Sequence, residues 1–181
     1  MSPLQILAFL FNLFIYVVLL RFLLQWARAD FYNPLSQFVV KVTQPILKPL
    51  RRVIPGIGGL DLASLLLALA LVALRNGLFG SVMALQLGFV LALPFDLTLL
   101  IIDLLIVMLF GRMILSWVDP YGNNPMQRPL VQLTEPLIRP FRRLIQPIGG
   151  FDLAPLFALL GLYLLIWVVN SLPRWLAGLL G

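Results

Sequence analysis

The side chains of this sequence that could do chemistry are the positive charges of two basic segments and a few polar groups inside apolar stretches. The chain contains no Cys and no His, which excludes thiolate nucleophiles, disulfides, histidine ligation of haem and nearly all zinc sites. A Ser-His-Asp triad is excluded for the same reason. We therefore predict that the protein is not an enzyme and has no catalytic residues, no bound metal and no cofactor. The chemistry that remains is charge pairing and contact with phosphate groups.

The two basic segments read TQPILKPLRRVI and TEPLIRPFRRLI. Apolar residues recur in each at helical spacing, which is typical of a short helix that lies in the headgroup plane with basic side chains toward phosphates. Pro45 and Pro136 suit the first turn of such helices. An alternative is that the helices only anchor the topology. The residues predicted to bind anionic lipid or a protein partner are Lys48, Arg51, Arg52, Arg139, Arg142 and Arg143.

Three polar residues inside apolar stretches are predicted to lie at one depth. Arg75 is 14 residues after Asp61, and Asp103 is 14 residues before Trp117. At 1.5 Å per residue, each lies about 21 Å from the cytoplasmic end of its helix. When the sequence is shifted by 91 positions, which aligns two similar halves, Asn12 falls on Asp103. Because an unpaired charge inside a membrane is costly, we predict a buried polar cluster of Asn12, Arg75 and Asp103.

The role of this cluster is open at the level of sequence. It is either an ion pair that fixes helix register or part of a route for ions or protons, and Asp96 is an alternative partner for Arg75. Two further arginines, Arg21 and Arg112, lie close to the ends of their helices. We predict that both snorkel to lipid phosphates.

A Gly-Gly-x-Asp-Leu-Ala tract follows each basic segment. A glycine-rich stretch before a helix can cradle phosphate, but this one lacks the Gly-Lys-Ser/Thr of a P-loop. A sharp turn followed by a capping aspartate explains it better, since Asp accepts a first-turn N–H bond and complements the helix dipole. We predict that Asp61 and Asp152 are helix N-caps.

The elements that position these residues are membrane helices. Of 181 residues, 61% are apolar and 11% are charged, whereas a soluble domain is about one quarter charged. We predict an all-α membrane protein with four transmembrane helices. Each is long enough to span about 30 Å of hydrocarbon. Their approximate bounds are Leu4–Trp26, Asp61–Ser81, Phe95–Trp117 and Asp152–Leu172.

The sequence repeats itself. When it is shifted by 91 positions, Arg21–Ser64 falls on Arg112–Pro155 without a gap, and 18 of the 44 aligned residues are identical. Many identities are polar, Gly or Pro residues, which chance similarity of apolar helices would not produce. We predict two tandem helix–amphipathic linker–helix repeats, at residues 1–81 and 95–181. Residues 82–94, from Val82 to Pro94, form a short apolar connector that is interfacial or re-entrant.

The charge distribution predicts the orientation. The first linker, Arg28 to Leu60, has five basic residues and one acid, and the second, Val118 to Phe151, has four and two. The positive-inside rule places both linkers in the cytoplasm. Four spans then leave both termini in the periplasm, whereas five would put one basic linker on the wrong side. The net charge of +6 therefore indicates lipid headgroups and not nucleic acid.

The doubled pattern R-x-x-x-x-W…NP…T-x-P…P-x-RR…GG-x-D-L-A resembles the bacterial YggT family, whose chloroplast relatives are called YlmG-like. The resemblance covers nearly the whole chain, although Leu65–Gly111 and the last residues match only as apolar sequence. It implies a small protein of the bacterial inner membrane or the thylakoid membrane. It also implies roles in osmotic stress and potassium homeostasis, in cell division or nucleoid organisation, or in assembly of a membrane cytochrome. It supplies no catalytic residues.

Two functions from different classes fit the sequence. The first is a non-enzymatic scaffold or assembly and homeostasis factor, whose linkers contact anionic lipid and other membrane proteins, further copies of this chain included. The second is a small ion channel or transporter subunit. The level shared by Arg75 and Asp103 favours the second, whereas the basic cytoplasmic side would repel cations from an entrance.

Overall fold

The computed structural model describes residues 3–56, 58–79, 87–119, 124–145 and 152–180. All of the regular elements in these ranges are α-helices. They are α1 (Pro3–Trp26), α2 (Pro34–Val53), α3 (Leu62–Phe79), α4 (Leu87–Val118), α5 (Gln127–Leu144) and α6 (Ala154–Leu180).

Four of these helices are long and apolar enough to cross a membrane, while α2 and α5 are amphipathic. The predicted all-α membrane protein with four spanning helices is thereby confirmed. The candidate spans are Pro3–Trp26, Leu62–Phe79, Phe89–Val118 and Ala154–Leu172.

The chain divides into two compact units, Met1–Leu100 and Ile101–Gly181, and the boundary falls within α4. In the first unit α1 packs against α3, and α2 packs against both. In the second unit α5 packs against α6. Gly161 of α6 allows a close approach there, since a Cβ would lie 3.3 Å from the Phe141 ring of α5.

Both amphipathic helices begin earlier than the sequence predicts. The predicted first-turn positions of Pro45 and Pro136 are wrong, because both prolines lie inside their helices. The observed start of α2 has its own signal: the Asn33 side chain accepts a hydrogen bond from the N–H of Leu35 (2.9 Å), and Pro34 opens the first turn. Asn caps and first-turn prolines are the residues that helix starts favour.

Helix α4 begins at Leu87, before the predicted start at about Phe95. Of the predicted connector, residues 82–86 lie outside the described residues, and residues 87–94 are helical. Pro94 lies within α4, where the Thr98 hydroxyl donates to its carbonyl oxygen (2.7 Å). Membrane helices tolerate such prolines because neighbouring groups and small backbone adjustments satisfy the carbonyl four residues earlier, which the missing N–H would otherwise bind.

The turn before α3 depends on glycine. Gly58 and Gly59 have φ values of 63° and 84°, a backbone region that glycine adopts at no steric cost. The chain thereby reverses between α2 and α3, as the Gly-Gly tract predicts. The second tract, Gly149-Gly150, lies outside the described residues.

Candidate functional site

Arg21 forms the first of two polar links between the spanning and amphipathic helices of the first unit. Its side chain is only 4% exposed. Nη1 donates to Thr43 Oγ1 (2.6 Å) and to the carbonyl oxygen of Val40 (3.1 Å), and Nη2 faces Gln44 Oε1 at 3.4 Å. The predicted snorkelling of Arg21 is therefore wrong, because residues of α2 provide the acceptors that lipid phosphates would otherwise provide.

Arg112 forms the equivalent link in the second unit. Its Nη1 donates to Thr134 Oγ1 (3.0 Å), and its Nη2 pairs with Glu135 Oε2 (2.9 Å). Glu135 is the repeat equivalent of Gln44. The neutral acceptor of the first unit is therefore replaced by a carboxylate in the second. In both units an arginine of a spanning helix thus holds an amphipathic helix through a threonine.

A second link in the first unit joins the end of α2 to the start of α3. Arg51 forms an ion pair with Asp61, which is 3% exposed, and also donates to Gln25 (3.1 Å). Ser64 donates to the same carboxylate through its hydroxyl and through its N–H (3.3 Å). Burial raises the pKa of Asp61, but the hydrogen bonds and the charge of Arg51 outweigh it and hold that pKa below its ordinary value.

The equivalent link in the second unit joins two exposed side chains. Arg142 pairs with Asp152 (2.9 Å) and with Glu135 (2.8 Å), and its side chain is about as exposed as that of Asp152. Asp152 also accepts from the N–H of Ala154, the first residue of α6 (3.0 Å). Each aspartate predicted as a cap therefore accepts a backbone N–H at a helix start and also binds an arginine.

The structure divides the six basic residues of the predicted lipid or partner site into two kinds. Arg51 and Arg142 are bound to the aspartates described above. The other four make no ion pair within the part of the chain that the structure describes, and all four are exposed on α2 and α5: Lys48, Arg52, Arg139 and Arg143.

Arg75 lies in a polar cluster of the first unit. Its Nη1 donates to Asn12 Oδ1 (3.3 Å), its Nη2 donates to Asn76 Oδ1 (2.8 Å), and it lies 3.9 Å from Asp96. Asn76 in turn donates to Asp96 (2.6 Å). A cavity of about 370 Å³, lined also by Tyr16, opens beside Arg75 and Asn12. The structure therefore brings Arg75 together with the predicted Asn12 and with the alternative acid, Asp96.

Asp103 belongs to the second unit and is exposed on α4. The residue of the second unit at the position of Arg75 is Ile166, so that unit has no basic residue at the matching place. The pairing of Asp103 with Arg75 stays a prediction.

The sequence analysis did not single out Thr43, Thr134, Glu135 or Asn76. Thr43 and Thr134 carried a usable signal, because each is identical in the two repeats and lies 22 residues after an arginine that is also repeated. Asn76 carried no comparable signal. No group of three or more Asp or Glu residues suited to a metal ion occurs in the described ranges.

Four apolar helices with amphipathic helices bound to them through arginine define a multi-pass helical membrane protein. The chain belongs to the CCB3/YggT family, whose model matches residues 1–82 and 91–173. The resemblance stated from the sequence motifs is thereby confirmed.

Bacterial relatives match over most of their length. An uncharacterized protein of Pseudomonas aeruginosa, PA0392, is 45% identical over 94% of this chain and 90% of its own. The uncharacterized protein YggT of Escherichia coli K12 is also 45% identical, over 88% of this chain and 82% of its own. A Vibrio alginolyticus protein named for the proC 3' region is 43% identical over 92% and 93%. No solved structure matches the chain.

Proposed function

We propose that the protein is a non-enzymatic membrane scaffold whose amphipathic helices present basic surfaces to anionic lipid headgroups and to other membrane proteins. The observation that carries this proposal is the division of charges on α2 and α5. One arginine of each helix is bound to an aspartate, and the remaining basic residues are exposed. A scaffold of this kind fits the assembly and homeostasis roles that the family resemblance implies.

The packing of the amphipathic helices supports this role. On α2, the fully buried Val39, Thr43 and Leu47 form one face, while Ile46 and Val53 are exposed beside the basic residues. A helix fixed on one side can hold its basic side chains at a constant height relative to the headgroups. Each Lys or Arg near an anionic surface contributes roughly 1 kcal/mol of attraction. The cytoplasmic orientation of both linkers, proposed from their charge, places them on the anionic leaflet.

Neutralising four of the exposed basic residues is expected to weaken the association of the protein with anionic lipid. The variant combines Lys48→Gln, Arg52→Gln, Arg139→Gln and Arg143→Gln in the full chain. We expect the association of spin-labelled phosphatidylglycerol, relative to phosphatidylcholine, to fall by about tenfold or more, since several charges of roughly 1 kcal/mol each are removed. The measurement is the immobilised lipid fraction in reconstituted vesicles, read by electron paramagnetic resonance.

Two controls define this result. Arg75→Gln removes one positive charge away from the amphipathic helices and should leave the lipid preference unchanged. At 1 M salt, where the screening length is about 3 Å, the wild-type preference should decrease. A multiple variant that binds phosphatidylglycerol as the wild type does would overturn the proposed lipid contact.

A small channel or transporter subunit is the second candidate function. It is favoured by the cavity beside Arg75 and Asn12 in the spanning region of the first unit. An ionisable side chain inside a membrane helix, such as Arg75, is a candidate functional site. The polar cluster also has a structural explanation, because Asn12, Asn76 and Asp96 surround the arginine.

Potassium flux decides between the two functions. If the protein conducts, we expect flux into liposomes containing the full chain to exceed that of empty vesicles and to change in Arg75→Gln and in Asp103→Asn. Arg28→Gln, an exposed position between α1 and α2, is the matched control and should conduct as the wild type does. An absence of flux at high protein density would exclude potassium conduction and leave the scaffold function standing.

A further inference from the structure

A cavity of about 610 Å³ lies in the second unit where three helices meet. It is lined by the last turns of α4, by Arg142 near the end of α5 and by the beginning of α6. Since α4 and α6 are spanning helices and the cavity lies at their ends, it is at the depth of lipid headgroups. Polar groups and apolar side chains both face it, among them Arg112, Ser116, Trp117, Asp152 and Leu156.

In the first unit, two side chains that the second unit lacks bind the equivalent ion pair. Gln25 accepts from Arg51, and the Ser64 hydroxyl donates to Asp61. The equivalent residues of the second unit are the shorter Ser116 and Pro155, which has no hydroxyl. Asp152 is 38% exposed, whereas Asp61 is 3% exposed.

The charges around the cavity are balanced. Arg112 and Arg142 are positive, Glu135 and Asp152 are negative, and ion pairs of 2.8–2.9 Å connect them. A simple anion would have to compete with both carboxylates for the arginines. A ligand that carries both signs can pair with an arginine and a carboxylate at once, so the charge complementarity favours a zwitterion.

We propose that this cavity binds the headgroup of a zwitterionic phospholipid, with its phosphate at Arg112 and Arg142 and its primary ammonium at Asp152. The ammonium group offers three N–H donors to a carboxylate, whereas a quaternary choline offers none. Trp117 and Leu156, on spanning helices beside the charges, suit the lipid side of the headgroup. The inference deepens the proposed function and rests on its placement of the amphipathic helices among headgroups.

The test is competition between lipids for the purified full chain. Native mass spectrometry in a mixture of equal amounts of phosphatidylethanolamine, phosphatidylcholine and phosphatidylglycerol gives the ratio of bound lipids. We expect phosphatidylethanolamine to exceed phosphatidylcholine by about fivefold in the wild type. It should exceed phosphatidylglycerol by the same factor once Lys48, Arg52, Arg139 and Arg143 are replaced by Gln, because the proposed anionic-lipid contact is then removed. Ser116→Phe, which fills the cavity, should abolish this preference. Ile114→Phe, an exposed position of the same helix that does not line the cavity, should retain it.

The charge balance around the cavity predicts a second result. Glu135→Gln reproduces the neutral residue of the first unit, gives the site a net positive charge and should shift the preference toward phosphatidylglycerol. A wild-type preference for phosphatidylcholine over phosphatidylethanolamine, or a preference for phosphatidylethanolamine that Ser116→Phe leaves intact, would refute the site. Displacement of the lipid by an equal concentration of water-soluble glycerophosphoethanolamine would also refute it as a membrane-lipid site.

The same spectra separate this inference from the proposed function. Replacing Lys48, Arg52, Arg139 and Arg143 by Gln should lower the total bound phosphatidylglycerol without removing the preference for phosphatidylethanolamine. Bound phosphatidylglycerol that these four substitutions do not lower, together with an intact phosphatidylethanolamine preference, would therefore count against the scaffold surface alone. If the wild type lacks the phosphatidylethanolamine preference but its phosphatidylglycerol binding still falls in the variant, the result would count against the cavity alone.

Discussion

Thr43→Val is expected to lower the free energy of unfolding by about 2 kcal/mol, the size of a hydrogen bond to a buried charge. The valine keeps the shape of the side chain but removes the 2.6 Å acceptor of Arg21. The guanidinium then keeps only the Val40 carbonyl at 3.1 Å and a long contact with Gln44. Reversible unfolding in mixed micelles, followed by tryptophan fluorescence, measures the change.

Thr134→Val is the matched control for this substitution. Its cost should be closer to 1 kcal/mol, because Arg112 keeps its 2.9 Å ion pair with Glu135. Combining Thr43→Val with Arg21→Met should recover part of the lost stability, since the buried charge is removed together with its acceptor. Equal costs in the two units, or an additive double variant, would show that Arg21 does not depend on Thr43.

Asp61→Ala is expected to be the most damaging single substitution at the helix starts, at about 3 kcal/mol. It removes the partner of Arg51, the acceptor for Ser64 and the cap of α3 together. Asp152→Ala in the exposed equivalent pair should cost only about 1 kcal/mol, mostly as a lost cap. The difference in unfolding free energy between the two variants is the measured quantity.

The pH dependence gives an independent check on Asp61. Its pKa in the folded protein lies below the ordinary value of 3.8. A lowered folded pKa means that the carboxylate contributes stability above the ordinary value, and that this contribution is lost as the pH falls through the folded pKa. The wild type should therefore lose its advantage over Asp61→Ala only under acidic conditions below about pH 4. A constant difference down to pH 2 would contradict the ion pair.

The spanning helices could be predicted from sequence because hydrocarbon thickness fixes their length and composition. The starts of α2 and α5 could not be predicted from Pro45 and Pro136, since a proline inside a helix is tolerated when packing supports it. Asn33-Pro34 was the better signal for the start of α2, and it is present in both repeats.

The polar cluster around Arg75 could be predicted from the sequence only in part. Counting residues along a helix gives the depth of Arg75, but it does not give the face of each helix or the neighbour across it. Asn12 was predicted from depth together with the repeat, and the structure places it at Arg75. Asn76 required knowledge of how the first unit packs, because it links Arg75 to Asp96 through a side-chain contact that no periodicity reports.

The paired prolines inside the amphipathic helices have a consequence for biogenesis. Pro45 and Pro49 in α2, like Pro136 and Pro140 in α5, are four residues apart, so the interior of each helix lacks two backbone donors. A proline costs an isolated helix about 3 kcal/mol, and neither segment should be helical as it leaves the ribosome. We expect the spans to insert first and the threonine–arginine contacts to recruit each linker into a helix afterwards. The amphipathic helices would then be the last part of the chain to mature.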